Sequence, residues 1–183
     1  MTDAEPPVIR PATVADAETI AAVHVVAWQE TYAGLLPEAF IAAQSIVKRA
    51  QMWRAVLDVE GTAAFLAEVD GAAIGFAACG VQRTSELAEA GYRGEIQSIY
   101  LLERAKRRGL GRRLMARCAQ FLAERGLTGA SAWVLRENVA ARRFYEQLGG
   151  IALDTPAPES HGPGVIEIAY GWADLARLTA VKD

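Results

Sequence analysis

The stretch KRRGLGRRL, residues 106–114, sets five cationic side chains around two glycines. A second stretch, NVAARRFYEQLGG, residues 138–150, places Asn138 seven residues before Tyr145 and closes on a double glycine. Clustered positive charge beside bare backbone suits an anion, because glycine lacks a Cβ and lets a ligand approach the amides closely. The chain as a whole is mildly acidic, with a formal charge of −3 over 183 residues and a pI near 5.5. A nucleic-acid binder needs a basic face that dominates its field, whereas here the excess is confined to one short run. The local charge therefore points to a small anion, and nucleic acid is not an expected partner.

Other chemistries are poorly supplied. Two histidines speak against a metal enzyme, and no metal site is expected. Cys79 and Cys118 stand apart rather than in a C-x-x-C pair, which suits buried thiols in a reducing cytoplasm. The opening MTDAEPP lacks the basic-then-apolar layout of a signal peptide, and no apolar run approaches the ~20 residues of a membrane span. The expectation is a soluble, cytoplasmic protein with no membrane partner. A chain of this length fits a single domain, 1–183, that buries roughly 70% of its unfolded surface.

The elements that must position these residues follow from periodicity. A short strand near Val8 leads to a helix, with Thr13 and Asp16 spaced as a capping box and Ile20, Val23 and Ala27 at helical intervals. After Gly34 and Pro37 a second helical region runs from about Pro37 to Leu57. TAAFLAEV and AAIGFAACG read as a hairpin turning at Asp70-Gly71. EIQSIYLL, residues 95–102, is a strand with Ile96, Ser98 and Tyr100 on one face and Glu95, Gln97, Ile99 and Leu101 on the other, barring a bulge.

A helix begins at about Gly109, its apolar stripe formed by Leu110, Leu114, Cys118, Phe121 and Leu122, with Arg113, Arg117 and Glu124 turned to water. GASAWVL is a strand, Asn138 caps a helix to Leu148, and strands near Ile151–Leu153 and Val165–Tyr170 flank a Pro/Gly-rich loop. The order β, α, α, β, β, β, α, β, α, β, β implies a mixed α/β sheet. Strand-to-helix-to-strand steps make parallel crossovers, while the hairpins are antiparallel.

A strand ending near Leu102, a basic loop and a helix start at Gly109 together describe a pyrophosphate cradle of backbone amides and helix dipole. The spacing excludes a P-loop, and it excludes the dinucleotide fingerprint because Leu114 stands where the third glycine is needed. Lys106-Arg107-Arg108-Gly109-Leu110-Gly111 resembles the coenzyme A loop, [QR]-x-x-G-x-[GA], of the GNAT superfamily of N-acetyltransferases, departing only at its first position. NVAARRFYEQLGG is similar to that family's later element, an Asn capping a helix with an F-Y pair and a glycine end. The resemblance spans about residues 8–172. It implies a GNAT-like mixed sheet with a splayed central strand pair and helices on both faces.

The resemblance also implies roles. Ile99, Tyr100 and Leu101 would pair through their backbone with the pantetheine arm of acetyl-CoA. The loop residues Arg107, Arg108, Gly109, Leu110, Gly111 and Arg112 would hold its pyrophosphate, and Asn138 would contact the same cofactor. Tyr145 would hydrogen-bond the thioester sulfur and protonate the leaving thiolate, which a phenol of pKa ~10 can do without being ionised at pH 7. An acceptor alkylammonium of pKa ~10.4 must also lose a proton, at a cost of about 4 to 5 kcal/mol at pH 7.

Several members of the family carry a base Glu at the position that Trp133 occupies here. Glu95 and Glu30 are the substitutes, Glu95 first. The acceptor would lie against Trp28 and Tyr32 of WQETYAGLLP, which looks like the N-terminal signature of one bacterial group in the superfamily; both residues read equally well as core. His24 reads as a core or surface histidine, and His161 as a solvated loop residue. The expected activity is acetyl transfer to a small-molecule amine by direct attack. The alternatives are a protein N-terminal or lysine acetyltransferase, or a non-catalytic acyl-CoA-binding regulator. A homodimer is left open.

Overall fold

The computed structural model describes residues 6–157 and 165–180. The first strand, β1 (Val8–Pro11), leads through a 3-10 turn into helix α1 (Ala17–Tyr32). Thr13 and Asp16 meet as the capping-box spacing predicts, the Thr13 N–H donating to Asp16 Oδ2 at 2.8 Å. Asp16 also binds the Arg10 guanidinium, which holds its carboxyl down at about 2.

The single helical region expected from Pro37 to Leu57 is two helices, α2 (Glu38–Ala42) and α3 (Ile46–Leu57). Ser45 breaks them apart, because its hydroxyl accepts the Lys48 N–H and starts a new helix. The hairpin β2 (Ala63–Val69) and β3 (Ala72–Val81) turns at Asp70 and Gly71, both with positive φ, as a two-residue primed turn requires.

A short helix α4 (Ser85–Glu89), which the periodicity did not announce, precedes β4 (Gly94–Leu101). Then come α5 (Leu110–Ala123), β5 (Ala130–Leu135), α6 (Val139–Gln147), β6 (Ile151–Leu153), β7 (Glu167–Trp172) and a terminal turn of helix, α7 (Ala176–Thr179).

The strands form one sheet in the order β1-β2-β3-β4-β5-β7-β6, with β4 and β5 parallel and every other neighbouring pair antiparallel. Helices α1 and α3 cover one face, where Ile20 and Trp53 pack on Leu66 and Phe76. Helices α5 and α6 cover the other, where Leu114, Met115, Cys118 and Tyr145 pack on Phe65, Ala77 and Ile96. Each large apolar side chain in these layers stabilises the fold by roughly 1.5–3 kcal/mol relative to exposure. Arg113, expected to face water, instead donates to the Pro7 carbonyl at 3.0 Å.

Two features of β4 shape everything that follows. Ser98 pairs with Ala78 and Ile96 with Cys79, so Gln97 is an extra residue with no partner on β3. This bulge reverses the expected alternation: Ile96 packs in the same layer as Ile99 and Leu101, and Tyr100 packs in the α1/α3 layer. The second feature is that β4 pairs with β5 only at Gly94–Ala130 and Glu95–Ser131. Beyond Glu95 the two parallel strands separate, giving the splayed central pair that the motifs led us to expect. Among the described residues no helix is long and apolar enough to cross a membrane, and no three His, Cys, Asp or Glu residues gather as a metal site.

Candidate active site

Between β4 and α5 the chain makes a 3-10 turn, Glu103–Ala105, and then exposes its backbone. The Lys106 N–H donates to Glu103 O, and the next main-chain donor is Arg113 N–H, to Gly109 O. The six amides of residues 107–112 therefore have no acceptor among the described residues. Arg107 (φ 59°) and Gly109 (φ 77°) are both left-handed, which turns successive N–H groups into one concavity at the positive end of α5.

The two glycines serve different ends. A Cβ on Gly109 would meet nothing within 4 Å, so its glycine answers to φ. A Cβ on Gly111 would lie 3.1 Å from the Phe144 ring, so its glycine lets α5 begin tight against α6.

The separation of β4 from β5 opens a cleft of about 770 Å³ that runs from this loop along β4. Ile99, Tyr100 and Leu101 line it with no strand partner on the β5 side, as do Lys106, Arg107, Gly109, Gly111 and Arg112 of the loop. Of the other two expected loop residues, Arg108 is exposed and the Leu110 side chain is buried in the core, and neither lines the cleft.

Asn138 lines the cleft while capping α6, its Oδ1 accepting the Ala141 N–H at 3.1 Å. Tyr145 lines the cleft two turns further along α6, its ring edge-on to Trp172. Its hydroxyl has no hydrogen-bond partner among the described residues. Burial first, and the nearby Tyr32 second, raise the phenol above its ordinary value, so it stays protonated through the neutral range.

At the far end the walls are aromatic. Tyr32 from α1 and Tyr100 from β4 share a hydroxyl–hydroxyl hydrogen bond of 3.0 Å, and Trp133 of β5 lies beside them in the lining. Trp28 does not line the cleft: it is 3% exposed and packs edge-on to Tyr32 from behind. The expected pair thus divides into a wall, Tyr32, and its support, Trp28. His24 is a core residue whose Nδ1 accepts from the Trp53 indole at 3.0 Å, and burial drives its pKa down to about 3. His161 lies outside the described residues.

Neither expected carboxylate lines the cleft. Glu95 is 2% exposed and stands at the last position where β4 and β5 still pair. Its oxygens accept from Arg83 three times: the main-chain N–H at 3.1 Å, Nε at 2.9 Å and Nη2 at 2.6 Å. Glu30 accepts the Glu103 N–H at 2.8 Å and so pins the 3-10 turn to α1.

No Asp or Glu occurs among the described lining residues, whereas the sequence reading missed Gln97, Ser98, Arg143 and Gln147. The last two are spaced i, i+4 with Phe144 between them, a pattern that could have placed them on one face of α6. Gln97 and Ser98 turn on the bulge.

Comparison with known proteins bears on this geometry. Residues 22–150 match the family model described as the acetyltransferase (GNAT) family. The uncharacterized N-acetyltransferase YuaI of Bacillus subtilis (strain 168) is 32% identical over 171 residues, 93% of this chain and 95% of that one. An uncharacterized N-acetyltransferase of Archaeoglobus fulgidus is 34% identical over 156 residues, 85% of this chain and 97% of that one.

Among solved structures, the PaiA N-acetyltransferase of Thermoplasma acidophilum, crystallised with coenzyme A, aligns with a TM-score of 0.71 at 20% identity. It covers 92% of this chain and 100% of that one. The yncA protein of Salmonella typhimurium, with its cofactor acetyl-CoA, aligns at 0.66 and 20% identity, covering 93% of this chain and 95% of that one.

Proposed function

Because the chain belongs to the GNAT family of acetyltransferases, we propose that it moves acetyl from acetyl-CoA to the primary amine of a small molecule, by direct attack in a ternary complex. One observation carries the reading. A loop whose amides at 107–112 have no acceptor among the described residues, an unpaired run of strand edge and a protonated, buried tyrosine border one cleft. The coenzyme A and acetyl-CoA held by the two similar structures support the choice of donor.

The amides of Arg107 to Arg112 would receive the pyrophosphate, with the α5 dipole adding to the attraction. The free edge at Ile99, Tyr100 and Leu101 would bond the pantetheine amides, and Asn138 would flank that arm. This leaves the thioester beside Tyr145. There the phenol would donate to the sulfur as the tetrahedral intermediate collapses, so that a thiol leaves rather than a thiolate.

Closure at the acceptor end supports a small acceptor. Trp28, Leu36 and Leu135 are buried together, which folds the α1–α2 connection back against β5 behind Tyr32. In this reading the W-x-x-x-Y-x-G-L-L-P segment marks a subgroup whose Tyr walls the acceptor site. The chain works as one catalytic domain in the cytoplasm, and it can do so as a monomer or a homodimer.

The test is release of CoA thiol from acetyl-CoA against a panel of small amines and of peptides. Turnover with at least one small amine, exceeding that with peptides, is the expected result. Binding of acetyl-CoA without turnover of any acceptor would overturn the reading in favour of a binding protein.

A further inference from the structure

With the donor on the loop and along the β4 edge, the acceptor is left the end of the cleft walled by Tyr32, Tyr100 and Trp133. We propose that the acceptor is an alkylamine whose chain carries a flat aromatic ring, received against these three side chains. The assignment rests on the acetyltransferase reading above and narrows it from a small amine to one class of amine.

The rings come from three elements, α1, β4 and β5, and two of them are fixed from behind. The Trp28 ring stands edge-on to Tyr32 at 4.8 Å between centroids. His24 and Phe76 lie against Tyr100 at 4.9 and 5.7 Å, tilted by 31° and 35°. All three supports are buried, at 3% exposure for Trp28, 4% for His24 and 0% for Phe76. The Tyr32 and Tyr100 hydroxyls are in turn tied together at 3.0 Å. Turning either ring into the cleft would break that bond and leave a hole behind it, which a close-packed core resists. The wall is therefore preformed, and a ligand spends no binding energy on ordering it.

A preformed aromatic wall suits another ring. Aromatic pairs gain from offset or edge-to-face contact beyond the area they bury, and a saturated ring of the same size does not. Burial raises the Tyr32 and Tyr100 phenols, so both stay neutral through the neutral range. They offer the acceptor hydroxyls and ring surface, and no counter-ion. The charge on the lining also argues against a polyamine. Lys106, Arg107, Arg112 and Arg143 line the cleft, and no Asp or Glu does so among the described residues. A second ammonium would enter this field without an anionic partner there, whereas an uncharged ring is indifferent to it.

Three primary amines test the class: phenylethylamine, cyclohexylethylamine and hexanediamine. Each is followed as kcat/KM at fixed pH and saturating acetyl-CoA for wild type, Trp133→Leu, Tyr32→Leu and Tyr32→Phe. In wild type the phenyl compound should exceed the cyclohexyl one roughly tenfold, and the diamine by more. Trp133→Leu and Tyr32→Leu should each cut the phenyl-to-cyclohexyl ratio to about threefold or less. Tyr32→Phe keeps the ring and should hold that ratio within about twofold of wild type.

Equal values for the phenyl and cyclohexyl amines in wild type would mean that this end accepts any apolar group, and a diamine that outpaces both would mean that the rings hold a cation. A ratio untouched by Trp133→Leu and Tyr32→Leu would place the acceptor's ring elsewhere, and a ratio lost in Tyr32→Phe would assign it to the hydroxyl. Each of these overturns the proposal and leaves the acetyltransferase reading standing. The wild-type ratio can overturn it even where a variant fails to fold. A wild type that acetylates no amine at all would overturn both.

Discussion

At the loop end of the cleft the groups without an acceptor among the described residues are backbone amides from one run of residues, 107–112. At the aromatic end, where we place the acceptor, the cleft is walled by side chains from three separate elements: Tyr32 from α1, Tyr100 from β4 and Trp133 from β5. The first end depends on two left-handed residues and a helix start, all local. The second depends on a bulge, a splay and a register, none of them local. A backbone cradle tolerates most changes in the side chains around it, whereas a side-chain wall is remade by each substitution. Substitution can therefore reshape the one end while leaving the other intact.

The sharpest way to break that contrast lies at the boundary between the two ends, at Tyr145. Tyr145→Phe keeps the ring that packs on Trp172 and removes the only protonated donor assigned to the sulfur. Turnover should fall on the order of 10² while acetyl-CoA affinity stays within a few-fold. Unchanged turnover in steady-state assays would mean that water or another group protonates the thiolate.

A smaller effect, of roughly tenfold on the acetyl-CoA dissociation constant, should follow Gly109→Val, because a β-branched residue resists φ near +77° and distorts the concavity. Arg107→Ala should do less, since it leaves the amide in place. Calorimetry that finds equal losses for the two would move the binding energy from backbone to side chain and erase the contrast.

Glu95→Gln separates structure from chemistry. The substitution weakens three hydrogen bonds from Arg83 to a buried carboxylate. Stability should drop by about 1–2 kcal/mol, which for a domain of this size lowers the thermal midpoint by roughly 2–8 °C. Turnover with an alkylamine, measured well below that midpoint, should change less than about threefold. A large loss of turnover in the folded variant would return the proton acceptor to Glu95.

The smallest expected effect concerns His24, beneath the Tyr100 ring at 4.9 Å between centroids. Its pKa is about 3 in the folded protein against an ordinary 6.5, so the unfolded chain binds the extra proton first. Its contribution to stability is therefore complete above pH 6.5 and is lost as pH falls from there toward 3. His24→Gln should flatten the slope of thermal midpoint against pH in that window. An unchanged slope would assign the acid sensitivity to other groups, such as Asp16, which titrates near 2.

What the sequence alone makes legible is whatever the chain builds from neighbours in sequence. Gly109 and its cations, the Asn138 cap with Tyr145 seven residues on, the Asp70-Gly71 turn and the stripe of α5 are all fixed by dihedral preferences and helical spacing over a few residues. The type and order of the main elements followed from the same local terms.

The acceptor end did not, because its geometry is decided by which strand lies beside which and in what register. A single extra residue at Gln97 reverses every side chain after it, and nothing in EIQSIYLL announces where that residue falls. The splay beyond Glu95, and the Arg83 that claims its carboxylate, likewise depend on segments folded onto β4 from elsewhere. Tyr32 of α1 and Trp133 of β5 stand 101 positions apart in the chain and line one cleft, so only the packing of α1 against the sheet brings the pair together.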